Sequence, residues 1–329
     1  MNKFQRSWLL FKSSLAIMFQ NRTLLVFPLV TAGCTVLILL FFLTPVAFQQ
    51  TGYSYGSQQH WEAVRDGIIQ PAPEARIVPT NATAESQPVT TRHGRNSENI
   101  RLQPHAYAYL AGLYFVVMLV ATFFNVAFYS EILKALNGQA VSIAAGLRFA
   151  ATKWQSILLW ALFAGVVGYL IKTLEERFGF IGRLVMRLVG TAWSIASIFV
   201  IPVMIREEST VNPLAMLKQS AFTLKKTWGE SLIGYAGVSF GGLIILISSF
   251  VLLGAGIGLS VVLNTPWIIA IVGVGWVISL IAVMYLMSVA SQIFRCALYL
   301  YATDGAIPQP FTPEMIAMAW KMKKTPVVR

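Results

Sequence analysis

From Ser231 to Phe294 the chain carries no charged side chain, a run of 64 residues. One bilayer crossing needs only about 20 apolar residues. Inside lipid every backbone amide must find its partner within the protein, so only helices and closed barrels can cross. Barrel strands would alternate apolar and polar over segments of about 10 residues, whereas these runs are continuous. The chain as a whole is 56% hydrophobic and 12% charged, against about 25% charged in a soluble domain. The expected fold class is all-α, a polytopic membrane protein.

Six spans are expected, at 24–48, 106–130, 156–174, 188–205, 232–263 and 267–288. They would form three hairpins within a single integral membrane domain over 1–329. The fifth is longer than a perpendicular crossing requires at about 1.5 Å per residue. It must tilt, project, or break near Gly254-Ala255-Gly256. An extracytoplasmic loop fills 49–105, with Pro, Ser and Asn content typical of a flexible segment over 71–100. A short helix is expected between Tyr53 and Ile69, since Trp61, Val64 and Ile68 fall at helical spacing.

Orientation follows from the Lys/Arg bias. With the N-terminus inside, segments 1–23, 131–155, 206–230 and 291–329 are cytoplasmic and hold 16 of the 25 basic residues. The outer loop balances five arginines with five acids. Both termini are therefore expected in the cytoplasm, and the N-terminal stretch is not expected to be a cleaved signal. Lys172, Arg177, Arg183 and Arg187 oppose this assignment. They surround the turn between spans three and four, which reads as a helical elbow lying at the interface. Net charge is +12, but the charges sit beside apolar runs, so anionic lipid headgroups are the expected partners rather than nucleic acid. Cys34 and Cys296 lie in or beside apolar spans, and no disulfide framework is implied.

A basic amphipathic segment with a Trp recurs ahead of the apolar runs. In 1–23, Phe4, Trp8, Phe11, Leu15 and Met18 form a stripe, with Arg6 and Lys12 nearby. In 142–154, Leu147, Ala151 and Trp154 share a face beside Arg148 and Lys153. In 212–228, Leu214, Leu217, Ala221, Leu224 and Trp228 share one, with Lys218 and Lys225 off the stripe and Lys226 beside Trp228. This helix opens with Asn212-Pro213, a cap residue and a proline at the first helical position. The tail 289–329 holds a fourth interfacial helix with Trp320 and Lys321. Such helices suit a membrane surface, apolar face in the acyl boundary and lysines at the headgroups. They equally suit ordinary connecting helices that obey the charge bias. Arg6, Trp8, Lys12, Lys153, Trp154, Lys218, Lys225, Lys226, Trp228, Trp320 and Lys321 are the candidate lipid contacts. Gly237 and Gly241, and Gly254 and Gly258, are candidate helix-packing pairs at GxxxG spacing.

No expected span contains an ionisable residue in its core, unlike proton- or ion-coupled carriers. Asn125, Ser194, Ser239 and Ser279 are the main polar side chains there and read as interhelical hydrogen bonds. His60, His93 and His105 fall in the outer loop with no metal-ligand spacing and read as incidental surface residues. No catalytic residue, cofactor or metal site is expected.

Phe4 through Ser14, followed by Leu25-Val26-Phe27-Pro28-Leu29, resembles the opening of an uncharacterised bacterial membrane family, domain-of-unknown-function family 6159. Leu174-Glu175-Glu176-Arg177, Ala192-Trp193-Ser194 and Phe199-Val200-Ile201-Pro202-Val203 are similar to that family's middle, as is Leu224 through Glu230. The resemblance implies a six-span inner-membrane protein without established activity. The layout is more loosely similar to the membrane-anchor regions of some bacterial glycerophosphodiesterases. The expected function is a non-catalytic, lipid-interacting organiser of the inner membrane or a subunit of an envelope complex, possible as a homo-oligomer. The alternative is a carrier or channel for a lipid or an uncharged, amphipathic solute.

Overall fold

Continuous apolar sequence that must satisfy its own amides becomes helix, and in the computed structural model the described residues are almost wholly helical. The structure describes residues 3–70, 101–207, 211–227, 247, 249–251, 253–263, 265 and 267–312. The helices in chain order are α1 (Lys3–Gln20), α2 (Val26–Ala47), α3 (Gln58–Ile68), α4 (Pro104–Leu136) and α5 (Ile143–Thr152). They continue with α6 (Trp154–Arg177), α7 (Phe180–Ala196), α8 (Val200–Arg206), α9 (Pro213–Thr227), α10 (Ser249–Val262) and α11 (Trp267–Asp304). A 3₁₀ turn, Arg22–Leu25, leads into α2. Strands β1 (Ile69–Gln70) and β2 (Arg101–Leu102) pair antiparallel, Ile69 opposite Leu102.

Among the described residues, five helical stretches are long and apolar enough to cross a membrane: Arg22–Ala47, Pro104–Leu136, Trp154–Arg177, Phe180–Arg206 and Trp267–Asp304. Most of the expected fifth span, and with it Gly237 and Gly241, lies outside the described residues. Its later part is α10, which passes through Gly254, Ala255 and Gly256 without a break.

The break falls instead in the fourth stretch. There α7 ends at Ala196, residues 197–199 form a turn, and α8 begins at Val200. Pro202 sits in the first turn of α8, where its missing N–H removes no intrahelical bond. The expected elbow at 175–187 is also different. Helix α6 runs on to Arg177 and α7 starts at Phe180, so Phe178-Gly179 alone makes the turn. Arg187 Nε reaches Glu175 Oε1 at 2.8 Å across the hairpin, and Trp160 and Trp193 stack at 6.0 Å. Only Phe178-Gly179 interrupts the helical backbone here, so the helices outlast the charges. Likewise α4 runs past the expected end at 130 to Leu136, and α11 runs past 288 to Asp304.

The chain divides into two compact units, Thr35–Val117 and the remainder. In the smaller, Pro45 interrupts the bond ladder of α2. Tyr109 Oη donates to the Phe42 carbonyl at 2.5 Å, one residue from the Phe41 carbonyl that Pro45 leaves without an intrahelical donor. Helix α3 is the short helix expected from the sequence, capped by Ser57, whose hydroxyl accepts from the His60 N–H. His60 is not a surface residue: it is fully buried. Its Nε2 lies 3.0 Å from the Ala47 carbonyl and its Nδ1 2.6 Å from the Thr51 hydroxyl. A carbonyl only accepts, so Nε2 carries the proton and Nδ1 takes the Thr51 hydroxyl hydrogen. Both nitrogens are occupied, which leaves neither for a metal. Among the described residues no cluster of His, Cys, Asp and Glu could hold one.

In the larger unit burial is confined to one end of its long helices. Helix α6 buries Ile157, Trp160, Ala161 and Ala164 from its first half, and α7 buries nothing. Helix α11 buries Val289, Ala290, Ile293, Phe294 and 296–300, all in its second half. Phe11, Ile17 and Met18 of α1 join this core, as do 126–133 and Leu136 of α4, and Val200, Val203 and Met204 of α8.

Candidate functional site

The packed end gathers most of the described polar contacts of the larger unit. Glu131 on α4 is fully buried. Its Oε2 accepts the Ser142 N–H at 2.8 Å and its Oε1 takes Lys134 Nζ at 2.6 Å. Ser142 stands at the N-cap position of α5, so a carboxylate sits at that helix's positive end. Gly146 lets α5 approach: a methyl there would lie 2.8 Å from Glu131 Cγ and 2.9 Å from the Ala127 carbonyl.

Lys153 occupies the joint between α5 and α6, and its Nζ donates to the Glu207 carbonyl, the C-cap of α8, at 3.2 Å. A cation there complements the helix C-terminus. Arg206, one residue earlier, pairs with Asp304 Oδ2 at 2.5 Å at the end of α11. Tyr285 on α11 donates to the Leu25 carbonyl in the 3₁₀ turn before α2.

Helix α9 lies against α6, α7, α8 and α11. It buries Met216, Ser220, Thr223 and Leu224. The Ser220 hydroxyl accepts the Phe199 N–H at 3.0 Å and donates to the Ala196 carbonyl at 2.6 Å. These are backbone groups that the turn between α7 and α8 would otherwise orphan. One serine thus closes the break on both sides. Ser197 returns its own hydroxyl to the Trp193 carbonyl within the same turn.

The opposite side of α9 carries Leu214, Lys218, Phe222 and Lys225, in steps of four, four and three. All are exposed, Leu214 at 61% and Phe222 at 53%. Lys218 and Lys225 have no ion-pair partner among the described residues.

The expected lipid contacts therefore separate. Lys12, Trp154, Lys218 and Lys225 are exposed. Lys153 is committed to α8. Arg6, Trp8 and Lys226 lie on described helices, but their side chains fall outside the described residues, as do Trp228, Trp320 and Lys321 altogether. The expected stripes are shifted too. On α1 the buried face is Phe11, Ser14, Ile17 and Met18, packed against α11, with Leu15 half-buried. On α9 Leu214 faces out while Ser220 faces in. On α5 Gly146 and Ala150 are buried and Ala151 is exposed.

Gly254 and Gly258, expected to pack, have open space beside them among the described residues. The close approach is at Gly256, where a methyl would lie 2.5 Å from Val272 Cγ1 of α11. Small residues on both sides of α10 gave the spacing motif no unique face. Sequence reasoning missed Glu131, one position beyond its expected span, and Ser220, a small polar residue among lysines. The Asn212-Pro213 start was the one local signal for the helix that carries Ser220.

Sequence comparison gives a match over residues 105–308, from the first turn of α4 to just past α11. The chain belongs to DUF6159, a family of unknown function. The DUF6159 region holds Glu131, Lys153, Ser220, α9 and the broken fourth stretch. The resemblance read at Phe4–Ser14 lies outside it. No curated protein and no solved structure matches the chain, and the likeness to glycerophosphodiesterase anchors gains no support.

Proposed function

We propose that the chain is a non-catalytic protein of the bacterial inner membrane that binds anionic lipid at its cytoplasmic face, as an organiser of that surface or a subunit of an envelope complex. The observation that carries this is the outer face of α9, where exposed Leu214 and Phe222 alternate with Lys218 and Lys225. Water disfavours such a surface, and the boundary of an anionic leaflet suits both halves of it. The Lys/Arg bias supports cytoplasmic termini and, with them, a cytoplasmic position for the packed end of the larger unit.

The test is native mass spectrometry of protein extracted in mild detergent, comparing the native chain with a K218Q/K225Q variant. The native chain is expected to retain phosphatidylglycerol or cardiolipin, and the variant to lose most of it. Equal retention would refute the lipid reading.

The broken fourth stretch favours a second reading, a carrier for a lipid or an uncharged solute. Discontinuous helices line the binding sites of many transporters. Transport of labelled phospholipid across reconstituted vesicles would establish it, and a flat time course would remove it.

A further inference from the structure

The two faces of α9 point to different tasks on one rigid helix. Its inner face holds Ser220 on the Phe199 N–H and the Ala196 carbonyl. Its outer face presents Leu214, Lys218, Phe222 and Lys225. The helix has 15 residues, about four turns, so one continuous hydrogen-bond ladder joins its two faces. We propose that α9 is a lever: an anionic lipid surface seats its outer face, and seating it keeps Ser220 on the break between α7 and α8. Membrane charge then sets how tightly the fourth stretch is closed. This rests on the lipid reading above, to which it adds the element that responds.

The physical basis is the cost of an unpaired amide. Withdrawing Ser220 leaves a donor and an acceptor of the main chain without partners in an apolar setting. Closure therefore follows the position of α9. That position follows charge, because each lysine near an anionic surface adds to the attraction that holds the helix there. Lys218 and Lys225 are the residues placed to sense it, since Lys153 is already spent on Glu207.

Amide hydrogen exchange in nanodiscs tests the lever. The native chain is reconstituted in phosphatidylglycerol-rich or in pure phosphatidylcholine bilayers, and exchange is followed over residues 197–200. In the anionic bilayer, exchange there is expected to be slower by roughly fivefold, the effect of about one net hydrogen bond. Ser220→Ala should exchange fast in both bilayers. Should Ser220→Ala fail to fold, K218Q/K225Q, which alters only exposed side chains, is expected to erase the lipid dependence while remaining intact. If residues 197–200 exchange alike in both bilayers while the native chain still retains anionic lipid, the lever is overturned and the lipid reading stands. If neither lipid retention nor exchange responds to lipid charge, both are overturned.

Discussion

Gly254 and Gly256 stand two positions apart on α10 and meet opposite surroundings. A methyl on Gly256 runs into Val272 of α11, whereas one on Gly254 meets nothing among the described residues. Gly256→Ala is therefore expected to destabilise by about 1–3 kcal/mol, as overpacking does. Gly254→Ala should be neutral or stabilise by up to about 1 kcal/mol through helix propensity. Thermal unfolding of the two variants in the same detergent checks the pair, and equal midpoints would contradict the packing. The glycines were visible in the sequence, but which one packs was not. Spacing sets which residues share a face, while the partner decides which face is used. Ser220 and Glu131 teach the same lesson. A serine between lysines and a glutamate just past an apolar run look like solvated positions, and only the approach of another element makes them interior.

At the scale of the element, the three amphipathic helices α1, α5 and α9 were legible from period and charge. Their buried faces were not. Lipid tails are as apolar as leucine, so an apolar stripe does not distinguish a lipid neighbour from a protein one. The small and hydroxyl residues carry more information: Ser14 on α1, Gly146 on α5 and Ser220 on α9 all face protein. The anchoring of α5 by Glu131 can be tested by itself. Glu131→Ala removes the acceptor of the Ser142 N–H and the partner of Lys134, an expected loss of about 2 kcal/mol for a buried charged hydrogen bond. Limited proteolysis should then cut first between Asn137 and Ser142, and an unchanged cleavage pattern would show that α5 holds without it. Five of the six expected spans match long apolar helices among the described residues, because hydropathy needs no tertiary knowledge, and most of the expected fifth lies outside those residues. The break at 197–199 was not readable, since Val, Ile, Phe and Ser around it sit as well in an unbroken span.

At the scale of the whole larger unit, α5 and α9 each dock on the long helical stretch that precedes them. Helix α5 sits on α4 through Gly146 and Glu131, and α9 sits on α7 and α8. Helix α1 packs on α11. Removing residues 3–20 should therefore uncover part of the buried half of α11. The truncated chain is expected to aggregate on size-exclusion chromatography in detergent. A Leu188→Ala variant, at an exposed position of α7, should elute as the native chain does. A monodisperse truncated protein would refute the arrangement. The arrangement also imposes an order on biosynthesis. Helix α1 leaves the ribosome roughly 270 residues before the part of α11 that covers it. At about 5–20 residues per second, that is a wait of roughly 14–54 seconds. Throughout that interval Phe11, Ile17 and Met18 need another apolar surface, and the leaflet into which the chain is being inserted is at hand. The same amphipathic face would then serve twice, first as a mooring on lipid and later as a wall of the folded core.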